Sequence, residues 1–397
     1  MIVYCSNFFQ PSQYDFFAKN NKNFNPYSAH NLSFAIFEGL SQLLNYEELS
    51  VINIPPIGFF PKLSSIPIVS PSLDTLRGIT IRSLGYKNFY LYQHYDIYKQ
   101  FCKILEQQKI NGKCVYLVYG ICFPLLKALQ KFKKNNSNIK IVLIIPDFLE
   151  DMYQTSLKNR IRFAIQGPIQ SIYEEIDGYV LLTEQMTDKV GKEKPYCVVE
   201  GVYNSQEERI NCSKSNSPKR FFYSGMLFEK FGVKNMIDAF CQLTNPNLRL
   251  QVCGCGDLEE YIKEKAAEDM RIEFLGMLPR TDVLELQSKA TILVNPRQPV
   301  GDFTKYSFPS KTIEYMASGT PLLMYKLPGI PEEYYEYCYW LDNEHLTVFD
   351  LKEKMQQLLD TPLSDLIKKG RDAKDFILNK KNSKEQCKKI VRVIEQL

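Results

Sequence analysis

FTKYSFPSKTIEYMASGTPLLMY, residues 303 to 325, reads as loop, helix, glycine and strand in that order. Ser307-Phe308-Pro309-Ser310 is a polar turn with a proline. Ile313, Met316 and Ala317 then recur at the helical period on one inward face, and Gly319 stops the run. Leu322 to Tyr325 is apolar and short enough for a buried strand. A helix opening at Ser310 points its unpaired N–H groups and the positive end of its dipole back into the loop. Such an end suits phosphate, and Lys311 in the first turn adds a full charge. Glu314, one turn on, is a carboxylate that accepts hydrogen bonds from vicinal hydroxyls such as those of a ribose. Together these describe a pocket for a nucleoside diphosphate. The plainer reading makes Ser310 an N-cap, Lys311 a solvated cation and Glu314 a favourable first-turn acid. The residues alone leave both open.

The pattern S-K-T-I-E-Y-M-A-S-G-T-P resembles the nucleotide-sugar segment of GT-B glycosyltransferases of the retaining family 4. Its F-P-S-K form is similar to a branch that assembles surface and capsular polysaccharide. In that family two glutamates eight positions apart flank a glycine-rich loop, one facing the donor sugar and the other the ribose. Glu314 matches the second. Tyr306 stands where the first would be, and Pro309 replaces the loop glycine. The resemblance implies an α/β chain of two Rossmann-like, doubly wound domains facing a central cleft. It also implies a retaining hexosyl transfer from a nucleotide-sugar donor, read as UDP-linked, to a hydroxyl of a glycan or polyprenyl-diphosphate-linked acceptor. On this reading Tyr306, Pro309, Ser310 and Glu314 bind the donor. The nucleotide sugar is a substrate, and there is no cofactor and no metal.

Length and composition are consistent with that expectation. At 397 residues, the chain is long enough for two domains. Lys+Arg 49 against Asp+Glu 45 leaves +4, too little for a dedicated nucleic-acid binder. The 11 cysteines form no C-x-x-C pairs and only 3 histidines exist, which argues against a zinc or multi-histidine site and for a reducing cytoplasm. No Asp-x-Asp pair is present to hold a divalent ion. The first residues lack a basic stretch followed by an apolar one, and the longest apolar tract, Cys114 to Leu126, is too short to span a bilayer. The expectation is a soluble cytoplasmic chain, or one peripheral at the inner face of the membrane.

Residues 1–205 read as the first domain, which the resemblance makes the acceptor side. Strands are expected at Ile2–Cys5, Leu49–Ile54, Ile79–Leu84, Phe89–Tyr92, Val115–Tyr119, Ile139–Ile145 and Tyr179–Thr183. Helices are expected near 29–44, 93–108, 121–134 and 152–174. Alternation of this kind argues a parallel sheet covered on both faces, with ligands at the carboxyl ends of its strands. Asp147, after one such strand, is a candidate catalytic carboxylate and equally an N-cap. His30, near the start of the first long helix, is a candidate acceptor-binding group; a surface histidine without a role is the alternative. Ser6 to Ser12 has no glycine where the family carries a glycine-rich loop. Lys127, Lys131, Lys133 and Lys134 lie on a helix that also carries Leu125, Leu126, Leu129 and Phe132, and Lys158, Arg160 and Arg162 follow. These groups offer contact with an anionic membrane surface, or form a solvated helix exterior over a buried stripe.

Residues 206–380 read as the nucleotide-sugar domain, and 381–397 as a last helix that the GT-B resemblance sends back to the first domain. The strand Arg220 to Gly225 resembles the donor domain's opening, where relatives follow the glycine with an arginine and then a lysine. Met226 occupies the arginine position, and Lys230 survives with altered spacing. Lys311, Lys305 and Arg297 are the other cations able to balance a departing diphosphate. Gly276 and Met277 match the turn that holds the nucleobase through backbone atoms. Lys230, Lys311 and Asp147 are therefore the candidate catalytic residues, with Gly225, Gly276, Met277 and Arg297 joining the donor site. Because Tyr306 and Met226 stand where charges are expected, a silent GT-B subunit that supports an active partner is the alternative. A two-domain oxidoreductase is disfavoured, since no G-x-G-x-x-G follows the first strand.

Overall fold

Apolar runs buried on both faces make the central strands, the signature of parallel sheets covered by helices. Cys114-Val115-Tyr116-Leu117-Val118-Tyr119 is buried at every position. In the computed structural model, residues 1–22, 27–90, 92–108, 110, 112–148, 169–204, 218–342 and 344–397 are described. The chain divides into one unit of Met1–Asn204 with Asn382–Leu397 and a second of Ser205–Lys381.

In the first unit the strands are β1 (Ile2–Ser6), β2 (Leu49–Asn53), β3 (Ile68–Val69), β4 (Ser72–Leu76), β5 (Ile79–Ser83), β6 (Tyr86–Lys87), β7 (Cys114–Tyr119), β8 (Ile139–Ile145), β9 (Gly178–Leu181) and β10 (Tyr196–Val198). Helices α1 (Tyr14–Asn20), α2 (Tyr27–Leu43), α3 (Tyr92–Gln107), α4 (Phe123–Lys133), α5 (Ile169–Glu174) and α6 (Thr187–Val190) lie between them. The eight-stranded sheet runs β10-β9-β8-β7-β1-β2-β5-β4. Its pairs are parallel except β4 with β5. That edge hairpin turns through Arg77-Gly78 at φ +54° and +76°, the left-handed pair a tight two-residue hairpin requires.

Phe89 to Tyr92, expected as a strand, is not one. Tyr92 opens α3, and Phe89 makes an isolated bridge to Phe60. Their rings pack edge-on at 5.6 Å, so ring packing in loops overrides the strand preference of aromatics. On α4, Leu125, Leu126 and Leu129 are core residues. The apolar stripe considered for a membrane surface is thus spent on the sheet, leaving Lys127, Lys131 and Lys134 exposed while Lys133 pairs with Asp177 at 2.7 Å. Lys158, Arg160 and Arg162, with most of the helix expected at 152–174, lie outside the described residues. Among the described residues no helix is long and apolar enough to cross a membrane.

The second unit's strands are β11 (Lys219–Ser224), β12 (Leu248–Cys253), β13 (Ile272–Gly276), β14 (Ile292–Asn295), β15 (Leu322–Tyr325) and β16 (Tyr339–Leu341). Helices α7 (Val233–Cys241), α8 (Glu259–Glu268), α9 (Arg280–Lys289), α10 (Lys311–Ala317), α11 (Val348–Asp360) and α12 (Leu363–Lys380) connect and follow them. The order β13-β12-β11-β14-β15-β16, parallel throughout, is the doubly wound 3-2-1-4-5-6 arrangement. Chain order reverses between β11 and β14, and ligands of such sheets collect in the crevice at the carboxyl ends of those strands.

The last helix, α13 (Ser383–Glu395), belongs to the first unit. Asn382 accepts from the Glu385 N–H at its start. Cys387, Ile390, Val393 and Ile394 then join Ile36, Leu40 and Val180 in one core, an i, i+3, i+6, i+7 stripe that places a single helix face against α2 and the sheet.

Candidate functional site

At the switch point of the second unit the chain leaves β11 through Ser224-Gly225 and leaves β14 through Asn295-Pro296-Arg297. Gly225 N–H donates to Cys253 O at 2.8 Å, and Gly254 N–H donates to Gly276 O at 2.8 Å. Three glycines thus end three adjacent strands, β11, β12 and β13. Gly225 has φ +153° and Gly254 +141°. A β-carbon on Gly254 would strike the Gly225 carbonyl, and one on Gly225 would strike Lys311 Nζ. Only backbone fits here, so the amine of Lys311 rests directly on the shelf.

Lys311 is the first residue of α10, and its ammonium donates to Ser224 O and lies 5.1 Å from the Tyr223 ring. Burial lowers its pKa from 10.5 to about 8, against the opposing pull of the Glu314 carboxylate. Tyr315 ties the same strand end to α10: its hydroxyl accepts from Ser224 N–H at 2.8 Å and donates to Ser224 O at 3.2 Å. Ser310 sits at the N-cap with helical backbone angles and makes no side-chain capping bond. Pro309 is buried, and its carbonyl accepts from Thr312 N–H at 2.9 Å. The α10 helix is only seven residues long, so the full charge of Lys311 outweighs the dipole of so short a helix.

Glu314 lies one turn beyond Lys311. Its Oε1 accepts from Gln287 Nε2 at 2.6 Å, and its Oε2 from Arg280 Nη1 at 3.1 Å. Gln287 is fully buried on α9 and also reaches Ser224 Oγ at 3.4 Å. Ser224 therefore joins the cation and the carboxylate into one network. Sequence reading singled out neither Arg280 nor Gln287, because nothing local marks residues whose partner lies a helix and a strand away.

A second group surrounds Phe231. Lys230 Nζ lies 5.2 Å from its ring and the Arg297 guanidinium 5.8 Å. Arg297 also lies 4.7 Å from the Phe303 ring and donates to Ser307 Oγ at 2.7 Å. Lys230 is exposed, and Tyr306, whose N–H donates to Phe303 O, is half-buried in the same loop. Met277 follows Gly276 at the end of β13 and is 64% exposed.

Asp147 and His30 belong to the first unit. Asp147 is exposed beyond β8, and its charge adds to burial in raising the Tyr119 phenol. His30 is fixed among Phe9 and Phe34, accepts from Phe9 N–H through Nδ1 at 3.1 Å, and is lowered to about 4 by burial. Asn7 N–H goes to Ser33 Oγ and Phe8 N–H to Asn53 Oδ1, each at 3.1 Å. Where the family resemblance expects a glycine-rich phosphate loop, three successive amides are engaged by side chains. Among the described residues no three His, Cys, Asp or Glu side chains are grouped to hold a metal ion.

Comparison with known proteins agrees with this architecture. Residues 204–382 match the family described as Glycosyl transferases group 1. No curated protein sequence matches the chain. Among solved structures, sucrose-phosphate synthase from Thermosynechococcus elongatus superposes with a TM-score of 0.66 at 13% identity, covering 100% of this chain and 98% of that one. A structure described as trehalose-6-phosphate from E. coli bound with UDP-2-fluoro glucose gives 0.65 at 11% identity, covering 100% and 99%. The lipopolysaccharide outer core galactosyltransferase WaaB in its apo form gives 0.64 at 12% identity, covering 100% and 99%. At such identities the likeness establishes the fold. The matched domain points to the chemistry: residues 204–382 are similar to the family Glycosyl transferases group 1, and the chain has the GT-B fold of the structures it superposes on.

Proposed function

We propose that this chain is a hexosyltransferase that moves a sugar from a nucleotide-sugar donor, UDP-linked, to a hydroxyl of a lipid-linked or oligosaccharide acceptor in surface polysaccharide synthesis. The observation that carries the donor assignment is the set of groups at the switch point of the second sheet. Lys311 lies against the Gly225 backbone, with Glu314 one turn on and joined to it through Ser224. Backbone shelf and ammonium suit a diphosphate, and the carboxylate suits a ribose diol. Gly276 and the exposed Met277 suit a base held through backbone atoms.

In this mechanism Lys311, with Lys230 and Arg297 from the loops beside it, neutralises the departing nucleoside diphosphate as the glycosidic bond breaks. The protein's own cations then carry the charge that a divalent ion carries elsewhere, so transfer is metal-independent. The leaving phosphate oxygen takes the acceptor proton, and the sugar keeps its anomeric configuration. Asp147 and His30 are proposed on the acceptor side, with Asp147, solvent-facing at the end of β8, able to contact acceptor hydroxyls. His30 is better suited to hold the loop after β1, because its Nδ1 is engaged by Phe9. Acceptor presentation at an anionic inner-membrane surface rests on Lys127, Lys131 and Lys134 alone, since the leucines of α4 are buried.

One observation favours a second reading, a silent subunit that supports an active partner: Met226 is 45% exposed where relatives carry a cation. Turnover decides between them. The purified chain, given a panel of UDP-sugars and polyprenyl-diphosphate-linked acceptors without added metal, is expected to release UDP in proportion to acceptor. Lys311→Ala should lower turnover by about a hundredfold, as loss of one electrostatic stabiliser does elsewhere. Nucleotide binding without turnover on any acceptor would favour the silent subunit.

A further inference from the structure

We infer that Arg280 and Gln287 are positioning residues that set the Glu314 carboxylate, and that through it they make the site selective for ribonucleotides over deoxyribonucleotides. The inference rests on the reading of Glu314 as the ribose acceptor and concerns what makes that acceptor discriminating. A carboxylate on a free side chain rotates and adapts to whatever donor it meets, so loss of one hydroxyl partner costs it little. A carboxylate fixed at both oxygens cannot follow, and a missing hydroxyl leaves a preset acceptor without its partner.

Glu314 is fixed at both oxygens. Gln287 Nε2 holds Oε1 at 2.6 Å from the core side. The Gln287 side chain is wholly buried, and the Thr320 hydroxyl donates to its backbone carbonyl at 2.7 Å, so the amide has little room to move. Arg280 Nη1 holds Oε2 at 3.1 Å from the solvent side, with its side chain 43% exposed. Arg280 opens α9 directly after the Gly276-to-Pro279 turn, on the flank where the base is assigned. Each carboxylate oxygen has a second lone pair, so a vicinal diol can donate to both without displacing either partner. With one partner on each oxygen, rotation of the carboxylate about its own axis is resisted from both sides.

The test is equilibrium binding of UDP and 2′-deoxy-UDP to the full chain, with GDP and 2′-deoxy-GDP as a second pair. Wild type is expected to prefer the ribo form by at least about tenfold, the size of one lost hydrogen bond to a charged group. Glu314→Ala should bring that ratio to near one. Arg280→Ala and Gln287→Met should each bring it within about threefold with the thermal midpoint little changed, and Arg280→Lys should restore it in part. Arg280 is exposed enough for its variants to fold if the Gln287 variant does not. A ribo-to-deoxy ratio in Arg280→Ala equal to wild type, in a protein where Glu314→Ala abolishes it, would overturn this inference and leave the donor assignment standing. Failure of wild type to bind any of the four nucleotides would overturn both.

Discussion

Lys311 is the residue on which the donor reading turns, and its protonation gives that reading a measurable signature. Burial holds its pKa at about 8 rather than 10.5. Between those values the unfolded chain keeps a proton that the folded one has lost, so ligand-free stability rises with pH across that window. Below it the cost of burying the charge is complete, at most about 3 kcal/mol. Lys311→Met is therefore expected to raise the melting temperature of the ligand-free protein at neutral pH while weakening nucleotide binding; an unchanged or lowered melting temperature would mean the amine is not desolvated. A bound diphosphate restores the charged form. Titrations near pH 8.5, about half a unit above the folded value, should show a binding heat that varies with buffer ionisation enthalpy, the slope being the proton uptake, and a zero slope would place the diphosphate away from Lys311. His30 works in the acid range. Its folded value of about 4 lies below the ordinary 6.5, so the unfolded chain binds the extra proton and stability falls as pH drops from 6.5 through 4. His30→Asn should flatten that fall, read from denaturant midpoints at about pH 7 and about pH 5; an unchanged slope would contradict the neutral, half-buried imidazole.

At the scale of elements, the stretch from Ser310 to Tyr325 was legible because its helix and strand each carry their own period. The hydrogen-bonding partners of Glu314 were not. They lie 34 and 27 residues away in sequence, on α9, and only sheet order brings α9 beside α10. The β4 edge escaped for a different reason: its residues alternate partly buried and exposed with polar side chains, so no apolar run marks it. The aromatic run at 89–92 misled in the opposite sense, since high strand preference there serves ring packing. The final helix makes a firm prediction of its own. Ile390 is fully buried in the first unit's core, and Ile390→Ala should cost about 2 to 4 kcal/mol by denaturant unfolding. A cost under about 0.5 kcal/mol would mean α13 does not pack there. Gly225→Ala should both cost stability, because alanine is strained at φ +153°, and weaken nucleotide binding by about tenfold or more, because the new methyl displaces Lys311 from the shelf.

For the whole molecule, alternating apolar strands and amphipathic helices carried the fold class, and the parallel sheets follow from it. The architecture persists in solved structures that share 13% or fewer of its residues over the full chain. Burial pattern, far more than residue identity, specifies such a sheet. Chemistry is less tolerant, which is why Met226 and Tyr306 in place of charged groups make nucleotide binding the point to test. The direct measurement is a calorimetric titration of the purified chain and of Glu314→Ala with UDP, GDP and a panel of UDP-sugars, first without metal and then with magnesium. One nucleotide is expected to bind wild type with micromolar affinity without metal, and binding is expected to weaken by about tenfold or more in the variant. Absence of binding to every nucleotide, or equal affinity in the variant, would contradict the donor assignment.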